Sequence, residues 1–269
     1  MNRPPIVAGR FYPEAAATLE SQVRGFLDLA PARDSQPTLL AMVPHAGYVF
    51  SGAVCGQTLG AANLRPLLVL LGPNHTGMGR PLSVWPDGRW ITPDGGLPVD
   101  EEAAQALLDE NAGFTADTAA HAQEHSLEVE IPFLRALNPE AGVVPVCVSL
   151  GDPGRLVEAG RALARVLNAL KRPASIVVSS DMSHYVTANR AKAQDAKALE
   201  RIEQLDPMGL YRTVREHNIS MCGVMPMTLG LAAALEFGAT RARVEAYATS
   251  GDVSRDFDRV VGYAGVIVQ

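Results

Sequence analysis

The sequence predicts an α/β protein in which helices flank a central, largely parallel sheet. Short apolar runs rich in β-branched residues alternate with longer amphipathic stretches, the usual pattern of strands joined by crossover helices. The composition agrees, because 47% of the 269 residues are hydrophobic and only 19% are charged. No linker, repeat or charge block divides the chain, so we expect residues 1–269 to form a single domain.

The individual elements follow from the same patterns. Apolar runs bounded by turn residues predict strands at 38–43, 66–72, 142–149, 174–180 and 260–268. Amphipathic stretches between them predict helices at 14–29, 52–63, 100–111, 124–137, 153–170, 187–204, 206–216 and 223–237. The segment 83–92 differs, since two short runs flank Pro86, Asp87 and Gly88, which predicts a β-hairpin.

The charge and the apolar segments exclude several kinds of partner. The formal net charge is −6, which gives no electrostatic reason to bind nucleic acid or an anionic membrane. The longest apolar stretch, 224–235, is too short to span a bilayer, and the N-terminal residues lack the apolar core of a secretory signal. We therefore expect a cytoplasmic protein. Its cysteines, Cys55, Cys147 and Cys222, are too widely spaced to indicate a disulfide framework.

Three of the six histidines follow predicted strands closely. His45 lies in PHAGY, His75 in GPNHTG and His184 in SSDMSHY. In open α/β sheets, ligands collect beyond the carboxyl ends of the strands. A single histidine there can simply cap a helix or fill a turn, but the pair His45 and His75 favours a shared ligand role. Asn74, directly before His75, is a candidate pocket residue.

Asp181, His184 and Cys222 are further candidates. Asp181 can accept a hydrogen bond from an imidazole or bind a metal directly, and His184 can act as a general acid or base. The alternative is that Asp181 forms an Asx turn or caps the helix predicted from residue 187. Cys222 precedes Gly223 at the start of a predicted helix, where the helix N-terminus favours the thiolate that binds metals or attacks electrophiles.

The segment 121–134 offers a competing interpretation. His121, Glu124 and His125 match the HxxEH pattern of inverted zinc peptidases, and on a helix the two histidines would share a face. On the same predicted helix His125 and Glu128 are three residues apart, which pairs an imidazole with a carboxylate without His121.

Seven blocks in order resemble the Memo family, which occurs in bacteria, archaea and eukaryotes. The blocks are AGRFYP (8–13), PHAGYVFSG (44–52), LGPNHTG (71–77), EHSLEVEIPFL (124–134), SSDMSHY (179–185), CG (222–223) and YATSGDVS (247–254). The resemblance implies a fold similar to the class III, LigB-type extradiol dioxygenases. It also implies that iron or copper is held by His45, His75 and Cys222, with Asp181 and His184 in the same pocket.

The resemblance also implies that His125 and Glu128 line this pocket. Two imidazoles, a thiolate and a carboxylate suit transition metals and disfavour magnesium or calcium, so we expect Fe(II) first, copper next and zinc after them. Relatives in bacteria are often encoded beside a radical-SAM protein and an AMMECR1-type protein, which implies these as pathway partners.

Three functions are compatible with these observations. The first is a metal-dependent redox enzyme, dioxygenase-like, in which His184, His125 and Asp181 carry the catalysis on a small-molecule substrate. The second is a non-catalytic module that binds peptides or sequesters a metal. The third is a zinc hydrolase, which requires His121 as a ligand.

Overall fold

Most of the strands join one mixed sheet. The computed structural model describes residues 1–269. The strands are β1 (Asn2–Arg3), β2 (Leu40–Val43), β3 (Leu67–Pro73), β4 (Leu82–Val84), β5 (Arg89–Trp90), β6 (Leu97–Pro98), β7 (Thr115–Ala116), β8 (Gly142–Val148), β9 (Ala174–Ser179), β10 (Asp181–Val186), β11 (Ala242–Thr249) and β12 (Val260–Val268). Nine of them form the central sheet in the order β10-β12-β2-β9-β3-β8-β4-β7, with β11 on β12, while β1, β5 and β6 form a small second sheet.

The middle of the central sheet is parallel. Strands β2, β9, β3 and β8 run in one direction and are almost completely buried, as expected for strands covered on both faces. Val43 at the end of β2 pairs with Ser179 at the end of β9, so the segments that follow these strands begin side by side. The α/β class and the largely parallel sheet are therefore confirmed.

Helices cover both sides of this sheet. They are α1 (Ala16–Leu27), α2 (Tyr48–Ala61), α3 (Glu101–Asp109), α4 (Ile131–Leu137), α5 (Pro153–Ala169), α6 (Ala188–Glu203), α7 (Pro207–Glu216), α8 (Val224–Glu236) and the short α9 (Gly251–Ser254). Asp152 and Asp206 cap α5 and α7 by accepting from the N–H groups of Arg155 and Gly209. None of the helices combines the length and the apolar character needed to cross a membrane.

Helices α1 and α2 approach each other through glycine. A Cβ on Gly56 would lie 2.5 Å from the backbone carbon of Phe26, so no larger residue fits without moving α1. This contact fixes α2, whose first residue follows the loop that carries His45. The close packing of α1 on α2 thus holds one wall of the candidate site.

Two predicted elements are wrong. The segment 83–92 is not a hairpin, because β4 pairs with β8 and β7 whereas β5 pairs with β1 and β6. The turn does form, with Gly88 at φ 82°, but the N-terminal residue Met1 packs against Gly88 and β1 takes the place of the expected partner. The sequence of β1 is too short to signal this pairing.

The predicted helix 124–137 begins only at Ile131, after a 3-10 turn at Glu128–Glu130. The side chain of Glu124 accepts from the N–H groups of His125 and Ser126, each at 2.9 Å. Side-chain acceptors of this kind compete with the helical hydrogen-bond pattern. The residues before the turn are consequently irregular, and helical spacing does not apply to them.

Candidate metal site

The ends of β2 and β3 deliver two histidines to the same edge of the sheet. Strand β9 lies between them and ends in Ser179. His45 follows β2 and His75 follows β3, and their ring centroids are 5.2 Å apart. The two imidazoles lie close together because parallel strands on either side of a common strand end at the same edge of the sheet.

The hydrogen bonds of His45 define its tautomer. Its Nδ1 lies 2.7 Å from the Ser179 hydroxyl oxygen, and that hydroxyl donates its only proton to the carbonyl of Ser126 at 2.7 Å. We therefore assign the proton to Nδ1 of His45, which leaves a lone pair on Nε2. Burial, followed by the proximity of His75 and His125, holds the pKa of His45 well below its ordinary value, so the ring is neutral and able to bind a metal.

His75 is oriented by Glu124. The carboxylate accepts from the backbone N–H of His75 at 2.5 Å and from its ring Nδ1 at 2.9 Å, so Nε2 of His75 is the free nitrogen. Burial alone would lower the pKa of His75, but the hydrogen bond and charge of Glu124 raise it overall. Burial likewise opposes ionisation of Glu124, yet His75 and two backbone N–H groups hold its pKa at about 2. A carboxylate behind a ligating histidine is a common feature of metal sites.

His125 completes a cluster of three imidazoles. Its ring stacks on His75 with centroids 5.0 Å apart and contacts Phe11 at 4.8 Å. One ring nitrogen each from His45, His75 and His125 lie within 4.8 Å of one another. Burial lowers the pKa of His125 as well. Three imidazoles at this separation can hold a metal ion.

The cluster is closed on one side and open on the other. The exposed fraction is 2% for His45, but 36% for the side chain of His75 and 26% for that of His125. A ligand from solvent can therefore approach the nitrogens of His75 and His125. This openness distinguishes the site from a closed structural metal site, which keeps no free position.

Cys222 and Asp181 lie beside His45. The sulfur of Cys222 is 3.4 Å from Nε2 of His45 and accepts from the N–H of Asp181 at 3.2 Å. Gly223 makes this approach feasible, because a Cβ there would collide with the Ser180 side chain. Burial and then the charge of Asp181 raise the pKa of the Cys222 thiol. Without a metal, the helix N-terminus does not outweigh this burial.

Asp181 is almost completely buried. Its carboxylate accepts from the backbone N–H of His45 at 2.9 Å, and burial raises its pKa to about 6. It is therefore neither the Asx turn nor the helix cap considered above, since Thr187 caps α6. The roles of Asp181 and Cys222 as metal ligands stay predictions, because the cluster of closely spaced donors contains only histidines.

His184 stands at the edge of the same region. It belongs to β10, and its backbone N–H donates to the Ser220 hydroxyl at 2.7 Å. Its ring Nδ1 is 2.9 Å from the Ser220 carbonyl oxygen, which only accepts, so Nδ1 carries the proton. Nε2 of His184 is consequently left as a free base.

The two predicted pocket residues have structural partners. Glu128 is buried and forms an ion pair with Arg3 at 2.6 Å, and its carboxylate also accepts from the hydroxyl of Tyr12 at 2.7 Å. The carboxylate nearest to the His125 ring is Glu124 rather than Glu128. Asn74 holds its own loop, with Oδ1 accepting from the N–H groups of Thr76 and Gly77.

His121 does not join the cluster, which contradicts the geometry required of a zinc peptidase. It is completely buried, and its Nε2 donates to the carbonyl of Ser83 at 2.9 Å. Its ring packs against Trp85 and Trp90, with Cys147 sulfur 3.4 Å from Nδ1. Because residues 121–125 are not helical, His121 and His125 do not share a face.

The burial of His121 leads to a prediction about acid stability. Burial lowers the pKa of His121 from 6.5 to about 4. Between pH 6.5 and pH 4, His121 is therefore protonated in the unfolded chain but not in the folded protein. The stability contributed by neutral His121 is complete above pH 6.5 and is lost as the pH falls towards 4, by about 3 kcal/mol. The variant His121→Gln, whose amide can still donate to Ser83, should therefore lose less free energy of unfolding than the parent when the pH is lowered from 7 to 4.

Urea denaturation at pH 7 and pH 4 measures this difference. The exposed residue His217 supplies the matched control, because His217→Gln should leave the pH dependence as it is. Equal losses of unfolding free energy in the parent and in His121→Gln would show that the pKa of His121 is not lowered by folding.

Comparison with known proteins shows the family of this chain. The family model described as Memo-like protein matches residues 3–267. The chain belongs to the Memo family. Curated relatives carrying the description MEMO1 family protein include one from Methanopyrus kandleri, 39% identical over 99% of both chains, and one from Aquifex aeolicus, 38% identical over 98% of both chains.

The Memo assignment rests on these relatives and not on solved structures. A crystal structure of an uncharacterized protein from Escherichia coli K12 covers 85% of this chain and 98% of that chain, with 14% identity and a TM-score of 0.49. A superposition this loose has no bearing on function.

In this member of the Memo family, sequence patterns missed two features. The first is that the ring of His125 lies among the closely spaced donors; its predicted catalytic role stays a prediction. Glu130, which no pattern singled out, is completely buried behind the site without a hydrogen-bond partner. The signal that was present is the acidic block EHSLEVE (124–130), which places three carboxylates directly before the apolar run IPFL.

Proposed function

We propose that this protein is a metal-dependent redox enzyme that binds Fe(II) at His45, His75 and His125. The observation that carries the proposal is the cluster of three imidazoles with one ring nitrogen each within 4.8 Å of the others. Imidazole ligands suit iron, copper and zinc, while magnesium and calcium require oxygen ligands. The sulfur of Cys222, 3.4 Å from His45, is a further donor that would favour softer ions such as copper.

The chain's own residues fit such an activity. A bound redox-active ion would supply a position at which O₂ and an organic molecule can react. The exposed rings of His75 and His125 line the side from which a small substrate would enter. His184, with Nε2 free to accept a hydrogen bond, and Asp181, whose pKa burial raises to about 6, are the side chains that would accept and return a proton.

The open side of the cluster favours catalysis over metal storage. A sequestering protein needs saturated coordination, whereas two of the three imidazoles here are partly exposed. A non-catalytic module that binds a peptide remains the second candidate, and it predicts binding without turnover. A zinc hydrolase of the HxxEH type does not fit the structure, because His121 lies outside the cluster and bonds to Ser83 instead.

An anaerobic titration followed by an oxygen-uptake assay tests the proposal. We expect the parent and His121→Gln to bind one equivalent of Fe(II), and His75→Ala to bind none. Oxygen uptake with a panel of catechols and related small aromatic diols should then require the bound iron. One equivalent of iron without uptake, together with saturated coordination in X-ray absorption spectra, would support the non-catalytic module instead. Absence of binding in the parent would refute both.

A further inference from the structure

Strand β10, which carries Asp181 and His184, is irregular where it pairs with β12. Asp181 lies opposite Tyr263, whereas His184 lies opposite Val261. The two residues are three positions apart on β10 but their partners are only two apart on β12, so β10 contains one extra residue, a β-bulge. Residues three apart on a regular strand point to opposite faces, whereas Tyr263 and Val261 share a face. The bulge therefore places Asp181 and His184 on the same face.

The loop before α8 connects both residues to the metal site. Ring Nδ1 of His184 donates to the carbonyl of Ser220 at 2.9 Å. Two positions later, the sulfur of Cys222 accepts from the N–H of Asp181 at 3.2 Å and lies 3.4 Å from Nε2 of His45. His184 can thus reach this loop together with Asp181 because β10 bulges between them.

A buried carboxylate on α6 lies against the bulge. Asp195 is completely buried, and one of its oxygens accepts from the backbone N–H of Ser183, inside the bulge, at 3.0 Å. Its other oxygen accepts from the hydroxyl of Tyr247 on β11 at 2.7 Å. On β12, a Cβ on Gly262 would collide with the same carboxylate. Asp195 therefore meets all three strands at the position where the register of β10 changes.

The backbone of β10 explains what this carboxylate does. The extra residue of a bulge is left outside the ladder of strand hydrogen bonds, and a buried backbone N–H without an acceptor is costly. Asp195 supplies the acceptor for Ser183, and the Tyr247 hydroxyl fixes the direction of the carboxylate. Tyr247 begins the block YATSGDVS (247–254), to which the metal site itself gives no role.

We propose that Asp195, oriented by Tyr247, is a positioning residue that stabilises the β10 bulge and so holds His184 beside Asp181 at the metal site. It acts through the backbone of Ser183 and is not itself one of the closely spaced donors. The inference deepens the proposed function and rests on it for the role of His184 in proton transfer. The bulge and its carboxylate need no metal, so the two can be tested apart.

Four variants separate positioning from packing. Asp195→Asn keeps an acceptor for Ser183 and a polar partner for Tyr247, whereas Asp195→Leu fills a similar space without an acceptor. Tyr247→Phe removes only the hydroxyl. Leu199→Ala is the matched control, because Leu199 is buried on the same helix and its truncation removes packing without removing any polar group.

The tautomer of His184 provides a readout that needs no metal. In ¹⁵N-labelled, metal-free protein we expect His184 to be protonated at Nδ1 in the parent, in Asp195→Asn and in Leu199→Ala. Asp195→Leu and Tyr247→Phe should show a mixture of the two tautomers, because His184 is then no longer held against the Ser220 carbonyl.

Oxygen uptake by the iron-loaded protein gives the second readout. Asp195→Leu should bind Fe(II) within about tenfold of the parent, because the partners of Asp195 are Ser183 and Tyr247 and not the imidazoles of the cluster. Its oxygen uptake should fall about 100-fold, the lower end of what a positioned acid or base contributes, and Asp195→Asn should retain most of it. A parent that takes up no oxygen but shows the expected tautomers would refute the proposed function and leave the positioning role intact.

Three results would overturn the positioning role: Asp195→Leu with the His184 tautomer of the parent, Asp195→Asn as altered as Asp195→Leu, or Leu199→Ala with the same mixture of tautomers. If Asp195→Leu does not fold, Tyr247→Phe decides, because an unchanged His184 tautomer in that variant would show that the carboxylate does not control the bulge.

Discussion

The variant His45→Ala should lose more than about 100-fold in affinity for Fe(II), copper and zinc alike. Changes behind a metal ligand already cost about 10- to 100-fold, and His45 is itself one of the three imidazoles that we propose as ligands. It is also the only one of the three that is fully buried, so water cannot easily take its place. Chelator competition under anaerobic conditions measures the loss for each ion.

Cys222→Ser is the informative companion to His45→Ala. Its sulfur lies next to His45, and a serine oxygen is a harder donor of similar size. We expect copper affinity to fall more than Fe(II) affinity in this variant. His184→Ala serves as the control, because the His184 ring is held by Ser220 and lies outside the donor cluster. A His45→Ala protein that binds all three ions like the parent would exclude the three-histidine site.

The variant Arg3→Met should lower the free energy of unfolding by about 3–5 kcal/mol, the usual cost of breaking a buried ion pair on one side. Both Arg3 and Glu128 are 1% exposed, and their charged atoms are 2.6 Å apart. Arg3 also donates to the carbonyl oxygens of His121 and Glu124 and lies over the ring of Trp90, 4.3 Å from its centroid. Removing the guanidinium would leave the buried carboxylate of Glu128 without its cation and would take one donor from each of the two carbonyl oxygens.

Urea denaturation at neutral pH tests this expectation against a surface pair. Arg161 and Glu158 are 49% and 66% exposed, so Arg161→Met should cost less than about 1 kcal/mol. The double variant Arg3→Met with Glu128→Gln should recover part of the loss, because the stranded charge is gone. A cost below 1 kcal/mol for Arg3→Met alone would show that the pair contributes little.

The effect of Arg3 also bears on the metal site. Arg3 fixes the backbone at His121 and Glu124, and Glu124 in turn holds His75. This contact joins the third residue of the chain to a segment 118 to 121 positions further along it. Sequence patterns give no indication of it.

Local sequence determined the α/β class, the buried strands and the positions of His45 and His75. Apolar β-branched runs specify strands through local preference and burial, and residues after parallel strands meet at one edge whatever the details of the loops. Only the tertiary structure decided that His125 enters the cluster while His121 is buried beside Trp90. The segment between them is irregular, so the direction of each side chain depends on residues elsewhere in the chain, Ser83 for His121 and Phe11 for His125, instead of on a helical repeat. The raised pKa of Glu130 depends in the same way on the fold, because its main cause is burial in the folded interior.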